Sequence, residues 1–373
     1  MYSRNITVVV LIACLVSIVA GCGGSSNNLS PPAAAGSPGG ANTSPAPVSL
    51  FSVSTFAGSG LKGSVDGVGS AASFWEPKAI AIDGQGNLYV ADYNNQSIRK
   101  ITSSGVVTTL AGSGASGHQD GPGVTATFTY SLGLTVDLNG NVYVADSANN
   151  AIRKITVAGD VTTLAGGAGF GFANGNGAAA KFNFPHDIAV SPNGNLYVTD
   201  FSNNVIRKIT RDGTVSTYAG TGIKGAADGP AATASFNNPS GIAVDAQENL
   251  YIGDYGNNLI RKISVGGIVS TIAGNGTAGN ANGTGTFATF TTPASIAIDG
   301  GGNLYVPTAG NQIRIISPAG VVSTFAGTGA AGMTNGPALS STFNLPLSVA
   351  VGSNGTVYVA DTLNNAIRKI TPN

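Results

Sequence analysis

Charge is what this sequence has least of. Of 373 residues only 9% are charged, and 17 Lys and Arg balance 17 Asp and Glu. A nucleic-acid binder needs a basic face to neutralise phosphates, and a chain with no net charge does not supply one. Eleven of the basic residues also sit in six recurring Ile-Arg-(Lys) segments, so they are spread over the molecule and not gathered in a patch. Cysteine is nearly absent, with only Cys14 and Cys22, which excludes a disulfide framework. Histidine is limited to His118 and His186. Catalytic zinc ordinarily takes three protein ligands, so a multi-histidine centre is hard to build here. No G-x-S-x-G, H-E-x-x-H or C-x-x-C motif occurs. Long amphipathic helical periods are missing as well, while 55 glycines and 17 prolines are present. Together these describe an all-β protein rich in turns.

The N-terminus stands apart. Arg4 precedes an apolar run from Ile6 to Ala20, too short to span a bilayer comfortably, and the run ends in Val19-Ala20-Gly21-Cys22. Residues 1–21 read as an export signal of bacterial lipoprotein type, with Cys22 as the lipidated first residue of the mature chain. Residues 22–49 contain Gly, Ser, Asn, Pro and Ala with no charge. Such a composition cannot bury enough surface to order itself, and as a flexible tether it reaches about 30 Å. The expected location is the bacterial cell envelope, outside the cytoplasmic membrane and held to a membrane by lipid.

From residue 50 onward one stretch is copied. Asn87–Thr102 reads NLYVADYNNQSIRKIT, and near-copies start at Asn141, Asn195, Asn249, Asn303 and Thr356. The tyrosines Tyr89, Tyr143, Tyr197, Tyr251, Tyr305 and Tyr358 recur every 54 residues, then after 53. Each unit reads as four short strands, in the first unit Ala79–Asp83, Asn87–Asp92, Ile98–Thr102 and Val106–Ala111. In the second strand Leu88 and Val90 face one way, Tyr89 and Ala91 the other, and both sets call for burial. That pattern needs cover on both sides, which neighbouring blades of a propeller supply. The segment Phe51–Gly58 matches the end of a unit, whereas the last unit stops after its IRKIT segment. Six complete sets exist only if the two ends meet in a closed ring, which also removes exposed sheet edges.

The run P-x-x-I-A-V/I-D followed by G-N-L-Y-V-A-D-x-x-N-N-x-I-R-K-I resembles the NHL repeat, and the resemblance covers 50–373. It implies a six-bladed β-propeller closed by the N-terminal strand, in a family that includes binding scaffolds. Distant relatives include metal-dependent lyases and lactonases, so the resemblance also offers an enzyme as the alternative.

Several motifs have plainer readings than their patterns suggest. G-x-G-x-x-G occurs five times, as at Gly58-Gly60-Gly63, but no helix follows to meet a pyrophosphate. The Asp-Gly and Asn-Gly pairs at Asp66, Asp120, Asn174, Asp228, Asn282 and Asn335 read as turn chemistry. Phe74, Phe128, Phe182, Phe236, Phe290 and Phe343 read as anchors of the long loops. Asp92, Asp146, Asp200, Asp254 and Asp361 read as hairpin ion-pair partners or turn caps for Arg99, Arg153, Arg207, Arg261 and Arg368. In the fifth unit Thr308 replaces the aspartate yet Arg314 stays, so the arginine must have further partners.

Function is sought where the units differ. In the loop entering the first strand, one aligned position reads Lys78, Leu132, His186, Ser240, Ala294 and Leu347, and the next reads Ala79, Gly133, Asp187, Gly241, Ser295 and Ser348. His186-Asp187 is the only titratable pair there, with Lys78 two blades away. These three are expected at the mouth of the central channel, as binding residues. The face of the long loops is the expected contact surface, with Trp75, Phe170, Phe172 and Tyr130 as its exposed aromatics and the first three read as binding residues. The reading is a lipid-anchored binding or interaction scaffold for a protein, peptide or glycan of the envelope. No catalytic residue, metal ligand or cofactor is assigned. The alternative is a metal-dependent lyase or lactonase using a divalent ion near His186-Asp187.

Overall fold

The computed structural model describes residues 50–373. The export signal at 1–21, the tether at 22–49 and the lipidation residue Cys22 lie outside the described residues. The rest forms six antiparallel sheets arranged as the blades of a propeller. In blade 1 the strands run outward from the axis as Pro77–Ile82, Leu88–Asp92, Ser97–Ile101 and Val106–Ala111. In the sixth blade Phe51–Ala57 pairs antiparallel with Ala366–Pro372, in register from Phe51↔Pro372 to Ala57↔Ile367. The N-terminal strand thus completes the last blade, as the repeat phase requires.

The expected alternation within the second strand is realised. All five residues of Leu88–Asp92 are buried. Leu88 and Val90 pack with Ala350, Tyr358 and Ile367 of blade 6. Tyr89 and Ala91 pack with Leu134, Val142 and Val144 of blade 2. Six such clusters fill the six interfaces between blades, so each blade is the cover its neighbour needs. The sequence missed one element. Five of the six sheets carry a fifth, two-residue strand from the long loop on their outer edge, such as Gly67–Val68 beside Val106–Ala111. A single 3-10 turn, Gly69–Ala71, follows it, so the glycine-rich loop opens no nucleotide-binding helix.

The six arginines of the repeated hairpins are the largest of the fully buried side chains. Arg99 shows the arrangement. It donates to Asp92 at 2.8 Å and to the Ser73 carbonyl at 3.0 Å, and its second terminal nitrogen donates to the Val65 carbonyl at 3.1 Å and to Asp66 at 2.6 Å. Its guanidinium lies 5.3 Å from the Phe74 ring, which is itself fully buried. One cation therefore ties the hairpin, the long loop and the loop's phenylalanine anchor together. The loop residues Asp66, Asp120, Asn174, Asp228, Asn282 and Asn335 all reach their blade's arginine. Turn chemistry alone is therefore too small a role for them. In blade 5, with Thr308 in the aspartate position, Arg314 keeps two carbonyls and Asn282.

The hairpin amides do a second job. Asn95 donates to the Gly63 carbonyl of its own long loop at 2.7 Å. The next residue accepts from the following blade's entry segment: Gln96 from the Tyr130 N–H at 2.8 Å and, across the closure, Asn365 from the Glu76 N–H at 3.0 Å. Long loops and hairpins share one face, the loop face, as the sequence expects. The Asp-x-x-Gly turns and both ends of the described chain lie on the opposite, turn face, where the Asn373 N–H donates to the Leu50 carbonyl at 2.9 Å.

Deleting Phe51–Gly58 removes this outer strand and exposes the edge of Ala366–Pro372. The melting temperature should fall by more than about 10 °C, since a shift of 1 kcal/mol moves a domain of this size by about 2 °C and several are lost. Differential scanning calorimetry checks this, and an unchanged curve would show that the ring does not depend on its closing strand.

Candidate binding site at the channel mouth

The six inner strands enclose a central channel with a cavity of about 310 Å³. Its turn-face end is apolar, lined by Ile82, Val136, Val190, Val244, Ile298 and Val351. Its loop-face end carries the ring that differs between blades. Inner strands are edge strands, so their N–H groups need partners, and the polar residues of the ring supply some. Ser348 Oγ accepts from the Ile80 N–H at 3.2 Å. Asp187 accepts from the Ile188 N–H at 2.9 Å and, across to blade 4, from the Ile242 N–H at 3.2 Å. The Asp187 N–H donates to Thr199 Oγ1 at 2.8 Å, and Thr199 donates to the Ser240 carbonyl at 2.7 Å. A Cβ at Gly133 would stand 2.5 Å from the Asp187 Cα, so only glycine lets this backbone approach.

His186 sits one position before Asp187. Its Nδ1 lies 3.2 Å from Ser240 Oγ, and that hydroxyl is 2.6 Å from the Ala294 carbonyl, to which it donates. The hydroxyl has one hydrogen, so toward His186 it acts as acceptor. We therefore assign the neutral ring's proton to Nδ1. Nε2 is left as a lone pair with no partner among the described residues. Burial, reinforced by the positive charge of Lys78, pulls the His186 pKa down to about 4. Burial pushes the Asp187 carboxyl up to about 7, against the pull of its two backbone N–H donors. At neutral pH the imidazole is thus uncharged, and the carboxyl holds its proton far more readily than an ordinary carboxylate.

Aromatic rings flank this pair in two groups. His186 is stacked on Phe201 with centroids 5.1 Å apart, and Phe201 meets Phe184 at 6.3 Å and Tyr255 at 6.1 Å, both edge-on. On the blade 1 side Tyr93 and Tyr130 stack at 4.8 Å. Lys78 Nζ lies 5.0 Å from the Tyr93 centroid and 3.3 Å from the Glu76 carboxylate.

Of the residues singled out in the sequence, His186, Asp187 and Lys78 do share this mouth. Trp75, Phe170 and Phe172 are 38%, 75% and 55% exposed, yet among the described residues no ring contact joins them to His186. Phe172 covers the Arg207 guanidinium at 5.0 Å and Trp75 lies 5.6 Å from Lys62 Nζ. Sequence reasoning missed Glu76, Tyr93, Phe184, Phe201 and Tyr255. The signal was available in aligned positions: the residue after the hairpin aspartate reads Tyr93, Ser147, Phe201, Tyr255 and Thr362 in the five blades that keep the aspartate. Among the described residues no three His, Cys, Asp or Glu side chains converge as a metal site. His118 is elsewhere, with its Nε2 3.2 Å from Thr163 Oγ1 on the outer strand of blade 2.

The two shifts have opposite consequences for stability. His186 binds its proton less readily when folded, so folding loses stability as pH falls from about 6.5 to about 4. Asp187 binds its proton more readily when folded, so folding loses stability as pH rises from about 4 to about 7. Relative to the parent, Asp187→Asn should therefore gain stability over the rise and His186→Gln over the fall. Urea unfolding as a function of pH checks both, with the His186 ring titration followed by NMR. A midpoint near the ordinary 6.5 would remove the shift, and one above 7 would remove the assignment of a neutral ring.

An NHL repeat family model matches residues 74–101, 182–209, 236–263 and 343–370, which lie in blades 1, 3, 4 and 6. The chain is 30% identical over 319 residues to the protein Suppressor of Quenching 1, chloroplastic, of Arabidopsis thaliana, covering 80% of this chain and 30% of that one. It thus spans less than a third of that relative's length. Among solved structures, an auxiliary nutrient binding protein from Bacteroides ovatus superposes with a TM-score of 0.67 at 20% identity, over 87% of this chain and 77% of that one. A virginiamycin B lyase from Staphylococcus aureus superposes at 0.52 with 18% identity, over 86% and 99%. At these identities the two structures speak for the fold alone. The chain thus carries NHL repeats in four blades of a six-bladed β-propeller.

Proposed function

We propose that the protein is a lipid-anchored, extracytoplasmic binding propeller that takes a protein, peptide or glycan ligand at the channel mouth on its loop face. The observation that carries this reading is the gathering of aromatic rings, Lys78, Glu76 and His186 at the positions where the blades stop being alike. Repeated residues such as Arg99 and Phe74 serve the ring itself, whereas divergent ones are free to serve a ligand. Aromatic side chains supply large contact area at low entropic cost, and they dominate contact energy in interfaces. The propeller described as an auxiliary nutrient binding protein supports the same direction.

One observation favours a second reading. The unpartnered Nε2 of a neutral His186 is a base or metal ligand in form, as a lyase or lactonase would need. Against it, Asp187 already accepts two backbone N–H groups. Metal content and thermal shift with calcium, zinc, magnesium and manganese, with His186→Ala as control, separate the two. A stoichiometric ion that the substitution abolishes would put the enzyme first.

A photo-crosslinking residue at Tyr255 or Tyr130 should capture the ligand in intact cells, and one at Val265 on the turn face should not. Capture from Val265 alone would overturn the loop-face site. Cys22→Ser should move the protein from the membrane fraction to the soluble one and abolish fatty-acid labelling. Membrane association that survives the substitution would dispose of the anchor.

A further inference from the structure

The channel mouth brings together two stacked aromatic groups, a charge-compensated Lys78–Glu76 pair and a neutral imidazole. We propose that its ligand is an uncharged, polyhydroxylated one: an oligosaccharide whose ring lies on the aromatic faces while its hydroxyls bond to Lys78, Glu76 and His186. This rests on the channel mouth being the binding site and goes further by choosing among ligand classes.

The choice follows from charge and from shape. An anionic ligand asks for unpaired cations, but Lys78 Nζ is already held 3.3 Å from the Glu76 carboxylate. A cationic ligand asks for unpaired carboxylates, but Glu76 is committed to the same pair, and Asp187 is turned to the Ile188 and Ile242 N–H groups, with burial favouring its uncharged form. What the pair still offers is a set of donors next to a set of acceptors, with no net charge. Vicinal hydroxyls, each a donor and an acceptor, match such a set. His186 adds an acceptor, because its Nδ1 proton faces Ser240 and leaves the lone pair of Nε2 without a partner.

The rings supply the apolar side. Tyr130 and Tyr255 are 42% and 36% exposed, so they present open surface and do not merely complete a core. Tyr130 is stacked on Tyr93 at a 23° interplanar angle, and His186 on Phe201 at 24°. Each stack fixes the orientation of its rings and leaves a ring face toward the mouth, and the C–H face of a sugar is flat in the same sense. An extended peptide would ask instead for unpaired strand edges, and at this end of the channel Ser348 and Asp187 already occupy several of those N–H groups.

The test uses the full chain in a detergent without a sugar headgroup, titrated calorimetrically with neutral gluco-, manno- and galacto-oligosaccharides, their uronate counterparts, and a tyrosine-rich peptide. We expect saturable binding of at least one neutral oligosaccharide, unchanged between low and high salt. Phe201→Ala and Tyr255→Ala should each weaken it at least tenfold, Glu76→Gln should weaken it less, and Phe170→Ala should leave it unchanged. Circular dichroism of each variant guards against misfolding. Preference for the uronates with strong salt dependence, binding of the peptide alone, or neutral binding indifferent to Phe201→Ala would each overturn the proposal. If no saccharide binds but Tyr255 still crosslinks a partner, the glycan assignment falls while the binding site stands. If neither occurs, both fall.

Discussion

Six guanidinium groups with no exposure to solvent hold this molecule together. A buried cation is costly unless every partner is in place, and removing one partner of such a pair ordinarily costs about 3–5 kcal/mol. Each arginine turns that cost into specification. Two loop carbonyls, a loop Asp or Asn and, in every blade but the fifth, the hairpin aspartate must all arrive at one point, so the long loop can dock in one way only. The blades differ in how completely the charge is met. Arg99, Arg153 and Arg261 each meet two carboxylates, Arg207 and Arg368 one, and Arg314 none. Burial accordingly lowers the pKa of Arg314, and the inner strand of that blade is cut to Ala297–Ile298. Blade 5 is the electrostatically weakest part of the ring.

Because packing is delegated to repeated residues, the axis is left free to vary. The inner strands present their edges to the channel, and whichever residue stands there must either bond to those edges or face a ligand. Asp187 does the first, while His186 bonds to Ser240 through Nδ1 and leaves Nε2 without a partner among the described residues. A carboxyl that titrates near neutrality and an imidazole that does not therefore sit side by side, each set by the same desolvation acting on charges of opposite sign.

The fold was legible because its signals are local and repeated. Tyrosine spacing, the doubly buried second strand and the spare strand at the N-terminus each state a constraint that one blade suffices to show. The Asp92–Arg99 pair was legible too, its members being seven residues apart in one hairpin. Asp66 was misjudged because a turn already explains Asp-Gly, and nothing local shows that its side chain returns to an arginine 33 residues on. The site divided in the same way. His186, Asp187 and Lys78 stand out by comparing aligned positions of one loop. Phe201 and Tyr255 come from hairpin tips, and which ring position a tip overhangs depends on the angle between blades, which no single repeat encodes. For the same reason the exposure of Trp75, Phe170 and Phe172 was readable, while the contacts of Trp75 with Lys62 and of Phe172 with Arg207 were not.

The closing pair, Phe51 with Pro372, is separated by nearly the whole described chain, and Ser52 and Asn373 meet across 321 residues. Loop-closure entropy grows only logarithmically, so joining such distant ends adds little to the equilibrium cost. The burden falls on time. The first strand to be made is the last to find its partner, and until Ala366–Pro372 appears it is an unpaired edge of alternating apolar and hydroxyl residues. Folding cannot finish as the chain grows. It must wait for the final blade, with a ring of five and a half blades held open meanwhile.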